Sequence, residues 1–274
     1  MPSRGSASPT GGLEGLAALV TGGGSGIGLA AARRFAADGA RVTICGRTAE
    51  RLAGAAAELE EVAALPGEVR WQVADVTVEE EIAAAVAKAA EPDGRLDILF
   101  ACAGGASHLG PLADADAAAV RATVDLNLIG SFLSLQHAIG PMRRAGGGSI
   151  VLMSSGAGHF PHRYLTAYGM AKAGVEMLCS YAAEELGPDG IRVNVVQPGI
   201  VETDLTSVFT GGGPLLEDYL AEMPIRRLGT VEDVAAAVRY LAGPEASWVT
   251  GTRLAVDGGH HLRRGANYGL LFEP

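Results

Sequence analysis

Residues 16–39 read as a strand, a glycine-rich turn and a helix in direct succession, and few folds accommodate that order. Residues 16–20 form a short uninterrupted apolar run, the pattern of a strand buried on both faces. The run enters TGGGSGIG (21–28), after which LAAARRFAADG has helical spacing and closes at Gly39. Glycine allows a tight turn and a close backbone approach, and the first turn of the next helix offers unpaired N–H groups at the positive end of its dipole. A turn of this kind, placed between strand and helix, holds a pyrophosphate.

The same alternation recurs along the chain. Strand-like runs are expected at 41–45, 69–74, 96–101, 149–153, 191–199 and 252–256, separated by helical patterns. One long helix is expected at about 113–139, one carrying Tyr168 and Lys172 and running to about Leu186, and one over about 231–241. This alternation predicts an α/β fold, a single Rossmann-type doubly wound parallel sheet with helices on both faces. Residues 13–259 would form one dinucleotide-binding and catalytic domain. Residues 1–12, rich in Pro, Ser and Gly, read as a disordered tail, and 260–274 as a C-terminal tail ending in an apolar Leu-Leu-Phe. That tail either docks on a neighbouring subunit, covers the substrate pocket or frays. Ligands of such sheets bind at the carboxyl ends of the strands, so the glycine turn, Asp75, Ala103, Ser155 and Pro198 should line one edge.

Composition narrows the function classes. The chain has 274 residues, 48% of them hydrophobic, with a net charge of −10 and no basic run longer than an arginine pair, which disfavours nucleic acid. No stretch of about 18 uninterrupted apolar residues suggests a membrane span. The N-terminus lacks the apolar core of a signal peptide, so a cytoplasmic location is expected. Cys45, Cys102 and Cys179 fit no metal-ligand spacing, and no metal is expected; they read as small buried hydrophobes.

Residues 149–172 carry the candidate chemistry. Tyr168 and Lys172 are four apart and share a helix face. An ammonium beside a phenol is expected to lower the phenol's pKa, letting it exchange a proton near neutrality. Ser155 ends the strand-like run before them, where its hydroxyl can bond a substrate oxygen. Asn127 interrupts an apolar helical stripe and must find partners there. At the end of the second strand stand Gly46 and Arg47 where a carboxylate would bind a ribose 2′-hydroxyl; a guanidinium there pairs with a 2′-phosphate, favouring NADP(H) with NAD(H) possible. Asp75 can accept from an adenine amino group or cap the next helix. Residues 200–220, with GGGP at 211–214, read as a mobile lid over the substrate. His108, His159, His162, Arg163 and Tyr164 lie in loops that could face it.

In its ordered motifs the sequence resembles the short-chain dehydrogenase/reductase family over 12–259. Thr21, Gly22, Gly26 and Gly28 match its TGxxxGxG turn, Tyr168 and Lys172 its YxxxK pair, and Ser155 its serine thirteen residues before the tyrosine. Asn127 matches its N-x-x-G asparagine, and Pro198, Gly199 and Thr203 its PG-xxx-T segment. The resemblance implies hydride transfer between NAD(P)(H) and a carbonyl or secondary alcohol, with Asn127, Ser155, Tyr168 and Lys172 catalytic and Tyr168 as the acid/base. It implies cofactor contacts at Gly22, Ser25, Gly26, Ile27, Gly28, Arg47, Asp75 and Val76. Further along it implies them at Ala101, Ala103, Gly104, Tyr168, Lys172, Pro198, Gly199, Val201 and Thr203. It also implies a small-molecule substrate and a homotetramer. Enoyl-thioester reduction and a non-catalytic cofactor sensor are the competing readings. One departure stands out: the family's NNAG is Ala101-Cys102-Ala103-Gly104 here, with both amides lost.

Overall fold

A computed structural model describes residues 12–64, 68–203, 206–263, 265–266 and 268–271. The expected N-terminal tail, Gly12 apart, lies outside them. Seven strands form one sheet: β1 (Ala17–Thr21), β2 (Arg41–Gly46), β3 (Val69–Val73), β4 (Ile98–Ala101), β5 (Gly148–Met153), β6 (Ile191–Pro198) and β7 (Arg253–Val256). Their order is β3-β2-β1-β4-β5-β6-β7, and every pair is parallel. Ala18 sits opposite Val42 of β2 on one side and Ile98 of β4 on the other. The order therefore reverses between β1 and β4, and their carboxyl ends open a crevice at that switch point.

Helices cover both faces. On one, α1 (Gly26–Ala37), α2 (Ala49–Val62) and α9 (Val231–Ala242) pack on Ala18, Val20, Val42 and Ile44. On the other, α3 (Glu79–Ala89), α5 (Gly130–Ala145) and α6 (Thr166–Leu186) pack on Ala17, Leu19, Leu99 and Leu152. Alternate residues of β1 thus serve opposite cores, which explains an apolar run with no polar face.

The long helix differs from expectation. The chain forms α4 (Ala117–Val124), capped by Asp116, then a π-turn over Asp125–Ile129, then α5, which runs through Pro141 to Ala145. Proline normally ends a helix because it lacks an N–H and crowds the preceding turn. Ala138 and Met142, both fully buried against the sheet, carry the helix past it, and Gly146 closes it with φ 80°. The 29-residue span is long and apolar enough to cross a membrane by length and composition alone, but Leu133, Leu135, Ala138 and Met142 belong to the core.

Over the carboxyl edge lie α7 (Ser207–Thr210) and α8 (Pro214–Glu222), the expected lid region. Leu215 and Tyr219 of α8 are buried with Met223, Leu165, Ala266 and Tyr268. The described part of the C-terminal tail therefore folds back over its own domain.

Candidate active site

A cleft of about 680 Å³ opens at the switch point. It is lined by Gly22, Ser25, Gly26, Ile27, Gly28, Arg47, Asp75, Val76, Ala103 and Gly104 on one side. Ser155, Tyr168, Lys172, Pro198, Gly199, Val201 and Thr203 complete it. Ser25 precedes α1 in an extended conformation and makes no side-chain cap, so the first-turn N–H groups of α1 face the cleft without a side-chain partner from that position. A Cβ on Gly28 would overlap the Gly22 carbonyl oxygen, so the turn tolerates no side chain there. This glycine cradle, with its volume, fits a dinucleotide.

Ala101 does not reach the cleft. It pairs with Thr21 and Leu152 inside the sheet and is 2% exposed, its side chain committed to the core. Cys102, one residue on, lines the cleft instead, so only Cys45 and Cys179 are the buried hydrophobes expected of all three cysteines. The strand end that lacks amides is held by Thr21, whose hydroxyl accepts from Cys102 N and Ala103 N, each at 3.1 Å.

Arg51 was not foreseen. It lines the cleft together with Arg47: Arg51 stands in the first turn of α2, and Arg47 lies just before the N-cap Thr48. Nothing local in the sequence says that the first turn of α2 faces the cleft. Asp75 accepts from the Thr77 N–H at 2.9 Å and the Thr77 hydroxyl at 2.7 Å, both through Oδ1. Burial pushes its carboxyl up, but those bonds and the Arg47 charge outweigh it and hold Asp75 below its usual value.

Ser155, Tyr168 and Lys172 come together where β5 and α6 meet. The Ser155 hydroxyl bonds the Tyr168 phenol and accepts from Ala157 N at 3.2 Å. Lys172 is 1% exposed, donates to the Met153 carbonyl at 2.8 Å and lies 5.4 Å from the centre of the Tyr168 ring. The phenol is not lowered as expected. Burial pushes Tyr168 up to about 12, with the Ser155 bond offsetting only part of it. Burial likewise pulls Lys172 down to about 8. Desolvation penalises the charged form of both and is the largest cause of each shift.

Asn127 does not line the cleft; it sits in the π-turn, fully buried. Its amide donates to Gly105 O at 2.6 Å and Thr123 O at 2.8 Å and accepts from Gly105 N at 3.2 Å. One N–H thereby ties down the loop after β4, and the other binds the Thr123 carbonyl in α4. A Cβ on Gly104 would stand 2.7 Å from Asn127 Oδ1 and 3.3 Å from Lys172 Nζ, so this glycine lets the two residues close on the loop.

Glu176, one turn beyond Lys172, was also missed. Its carboxylate is buried and accepts from Ser154 Oγ at 2.8 Å and Gln197 Nε2 at 2.5 Å, with Arg253 Nε 3.7 Å away. It joins α6 to the residues immediately before Ser155 and Pro198. A glutamate at that register reads as a solvated helix position until β6 and β7 are placed beside it.

A second cavity of about 260 Å³ adjoins the cleft, and Ser155, Tyr168, Pro198 and Gly199 line both. His162 lines the second cavity; His159 and Arg163 are exposed, Arg163 stacking at 4.8 Å on Tyr164. Tyr164 holds a left-handed φ of 72° in the loop before α6. The described tail residues His260 and Tyr268 also line this cavity.

A family model described as enoyl-(acyl carrier protein) reductase matches residues 22–261. The chain is 40% identical over 243 residues to cis-4-hydroxycyclohexanecarboxylate dehydrogenase of Sinomonas cyclohexanicum, covering 89% of this chain and 95% of that protein. It is 38% identical over 251 residues to 7alpha-hydroxysteroid dehydrogenase of Escherichia coli K12, covering 90% and 94%. A solved short-chain type dehydrogenase/reductase from Mycobacterium ulcerans superposes with a TM-score of 0.93 at 44% identity, over 95% of each chain.

Proposed function

The chain belongs to the short-chain dehydrogenase/reductase family and is an NAD(P)-dependent oxidoreductase of alcohol and carbonyl substrates; from that premise we propose that Tyr168 is its acid/base, assisted by Ser155 and Lys172. The observation that carries this assignment is that Ser155 and Tyr168 line both the dinucleotide cleft and the adjoining cavity, at the junction where a substrate oxygen must meet the cofactor.

A nicotinamide cofactor bound in the cleft would supply the hydride chemistry. The first turn of α1 would hold its pyrophosphate, Asp75 and Val76 its adenine, and Pro198, Gly199, Val201 and Thr203 its nicotinamide. In reduction Tyr168 donates its proton to the carbonyl oxygen as charge develops there, and Ser155 donates a hydrogen bond to the same oxygen. The raised pKa of Tyr168 keeps it a proton donor at neutral pH. The Lys172 ammonium stabilises the phenolate left behind. Asn127 acts by position: it locks the loop at Gly105 and opens the π-turn through which a water can link Lys172 to solvent.

Arg47 and Arg51 together favour NADP(H), because two guanidinium groups lining one cleft suit a 2′-phosphate. The outward faces of the π-turn, α5 and α6 expose Ile129, Phe132, Met170, Met177 and Tyr181; such a patch is suited to bury against another copy, and a homotetramer in the cytoplasm is the assembly we assign. Reduction of a conjugated C=C bond is the second reading, prompted by the description of the matched family model. The Ser155–Tyr168 hydroxyl pair favours a carbonyl oxygen as the group addressed. Titrating NADPH and NADH by fluorescence, then following absorbance of the reduced cofactor with ketones, secondary alcohols and enoyl thioesters, tests all of this. Cofactor binding without turnover of any ketone or alcohol overturns the assignment.

A further inference from the structure

The cavity beside Tyr168 has walls that specify more than a reaction type. Its volume of about 260 Å³ compares with about 30 Å³ for each water in the liquid, so it admits a molecule on the order of ten heavy atoms. Leu109, Leu165 and Ile200 supply apolar surface. Four rings supply flat faces: Tyr219 and His260 lie 4.6 Å apart, His162 and His260 5.9 Å, and His162 and Tyr268 6.3 Å. Two of those rings come from the C-terminal tail.

No lysine or arginine is among the described residues that line the cavity. Its one carboxylate, Asp257, is occupied by Gly259 N at 3.0 Å, His261 N at 2.8 Å and His261 Nδ1 at 3.0 Å. His162 brings no positive charge either. Its Nδ1 lies 3.1 Å from the Phe160 carbonyl, so the proton sits there and Nε2 is the acceptor. Burial and the neighbouring His260 hold the ring below its usual value. Among the described lining residues an anionic substrate would lose its hydration and find no lysine or arginine to pair with.

We propose that this cavity selects a compact, uncharged cyclic secondary alcohol, or the matching ketone, and that the tail residues His260 and Tyr268 form the wall that enforces the choice. The inference rests on the dehydrogenase reading above. In oxidation the alcohol carbon gives a hydride to NAD(P)+ and the hydroxyl gives its proton to the Tyr168 phenolate, formed by prior loss of the phenol's proton to solvent, yielding ketone and NAD(P)H.

The test uses the full chain with NADP+ or NAD+ and three alcohols: 4-methylcyclohexanol, 4-hydroxycyclohexanecarboxylate, and a 3-hydroxyacyl-coenzyme A thioester. Initial rates are paired with the thermal shift each compound adds to the cofactor-loaded protein. The expected result is a kcat/KM at least tenfold higher for 4-methylcyclohexanol than for the carboxylate, with no turnover of the thioester. Tyr268→Ala should narrow that gap several-fold and admit bulkier alcohols, while the cofactor dissociation constant stays within about twofold of wild type. Equal or better turnover of the carboxylate or the thioester overturns the selectivity and leaves the dehydrogenase reading intact. Thermal shifts from the uncharged ring alone, without turnover of any compound, keep the selectivity and overturn the dehydrogenase reading. Neither shift nor turnover overturns both.

Discussion

Glu176 Oε1 accepts the Ser154 hydroxyl at 2.8 Å, within a helix whose preceding turn carries Lys172. Since Gln197 bonds the same oxygen, one carboxylate holds the helix of Tyr168 to the strand ends that carry Ser155 and Pro198. Glu176 is therefore a positioning residue. Glu176→Leu strips two buried donors of their acceptor and should lower kcat about 100-fold, the scale of a misplacement near 1 Å. Glu176→Gln keeps an acceptor oxygen and should recover to within roughly tenfold. Steady-state kinetics beside thermal denaturation decides it: a fall in melting temperature with unchanged kcat would reduce Glu176 to a purely structural role.

Tyr168→Phe removes the proton donor and leaves the cleft's shape. Turnover should drop by about 10² to 10⁴, the range for general acid catalysis, while NADPH still quenches or gains fluorescence as in wild type. Retained turnover would move the acid elsewhere.

Arg47→Ser combined with Arg51→Ser removes both guanidinium groups from the cleft. If they pair with a 2′-phosphate, kcat/KM for NADPH should fall about 10- to 100-fold, since a hydrogen bond to a charged group contributes roughly 1.5–3 kcal/mol. The value for NADH should change little. A parallel loss with both cofactors would mean that the pair does not read the 2′ position.

The pH dependence follows from the Lys172 and Tyr168 shifts. Lys172, pulled down to about 8, carries its charge below that pH and loses it above. Tyr168, pushed up to about 12, stays protonated across the same range. Carbonyl reduction should therefore be level below pH 8 and fall above it, as the ammonium that stabilises the departing proton's phenolate disappears. Alcohol oxidation, which needs the Tyr168 phenolate to accept a proton, should gain relative to reduction as pH rises. Rate profiles in both directions check this, and Lys172→Met should abolish the descending limb of reduction.

Thr21→Val tests how the strand end survives without the family's amides. The Thr21 hydroxyl accepts two N–H groups, from Cys102 and Ala103. Leaving them without it should cost about 1–3 kcal/mol, read by urea unfolding, and should weaken NADPH binding by loosening the loop at Ala103 and Gly104. Unchanged stability would show that the strand end is held by other bonds.

The sequence alone determined the order of strands and helices, the glycine turn, and the Tyr168–Lys172 pair with Ser155 upstream. Each of these depends on residues near one another in the chain, where periodicity and backbone freedom act directly. Tertiary structure decided what depends on distant neighbours. Ala101 entered the core and Cys102 the cleft because the strand pleat and the neighbouring strands set which side chain points where. The helix through Pro141 persisted because Met142 is buried against the sheet. Glu176 became part of the site only when Gln197 and Arg253 were brought beside it. The phenol's pKa rose where a pairwise view lowered it, because desolvation sums over everything packed around a group and no local spacing reports that sum.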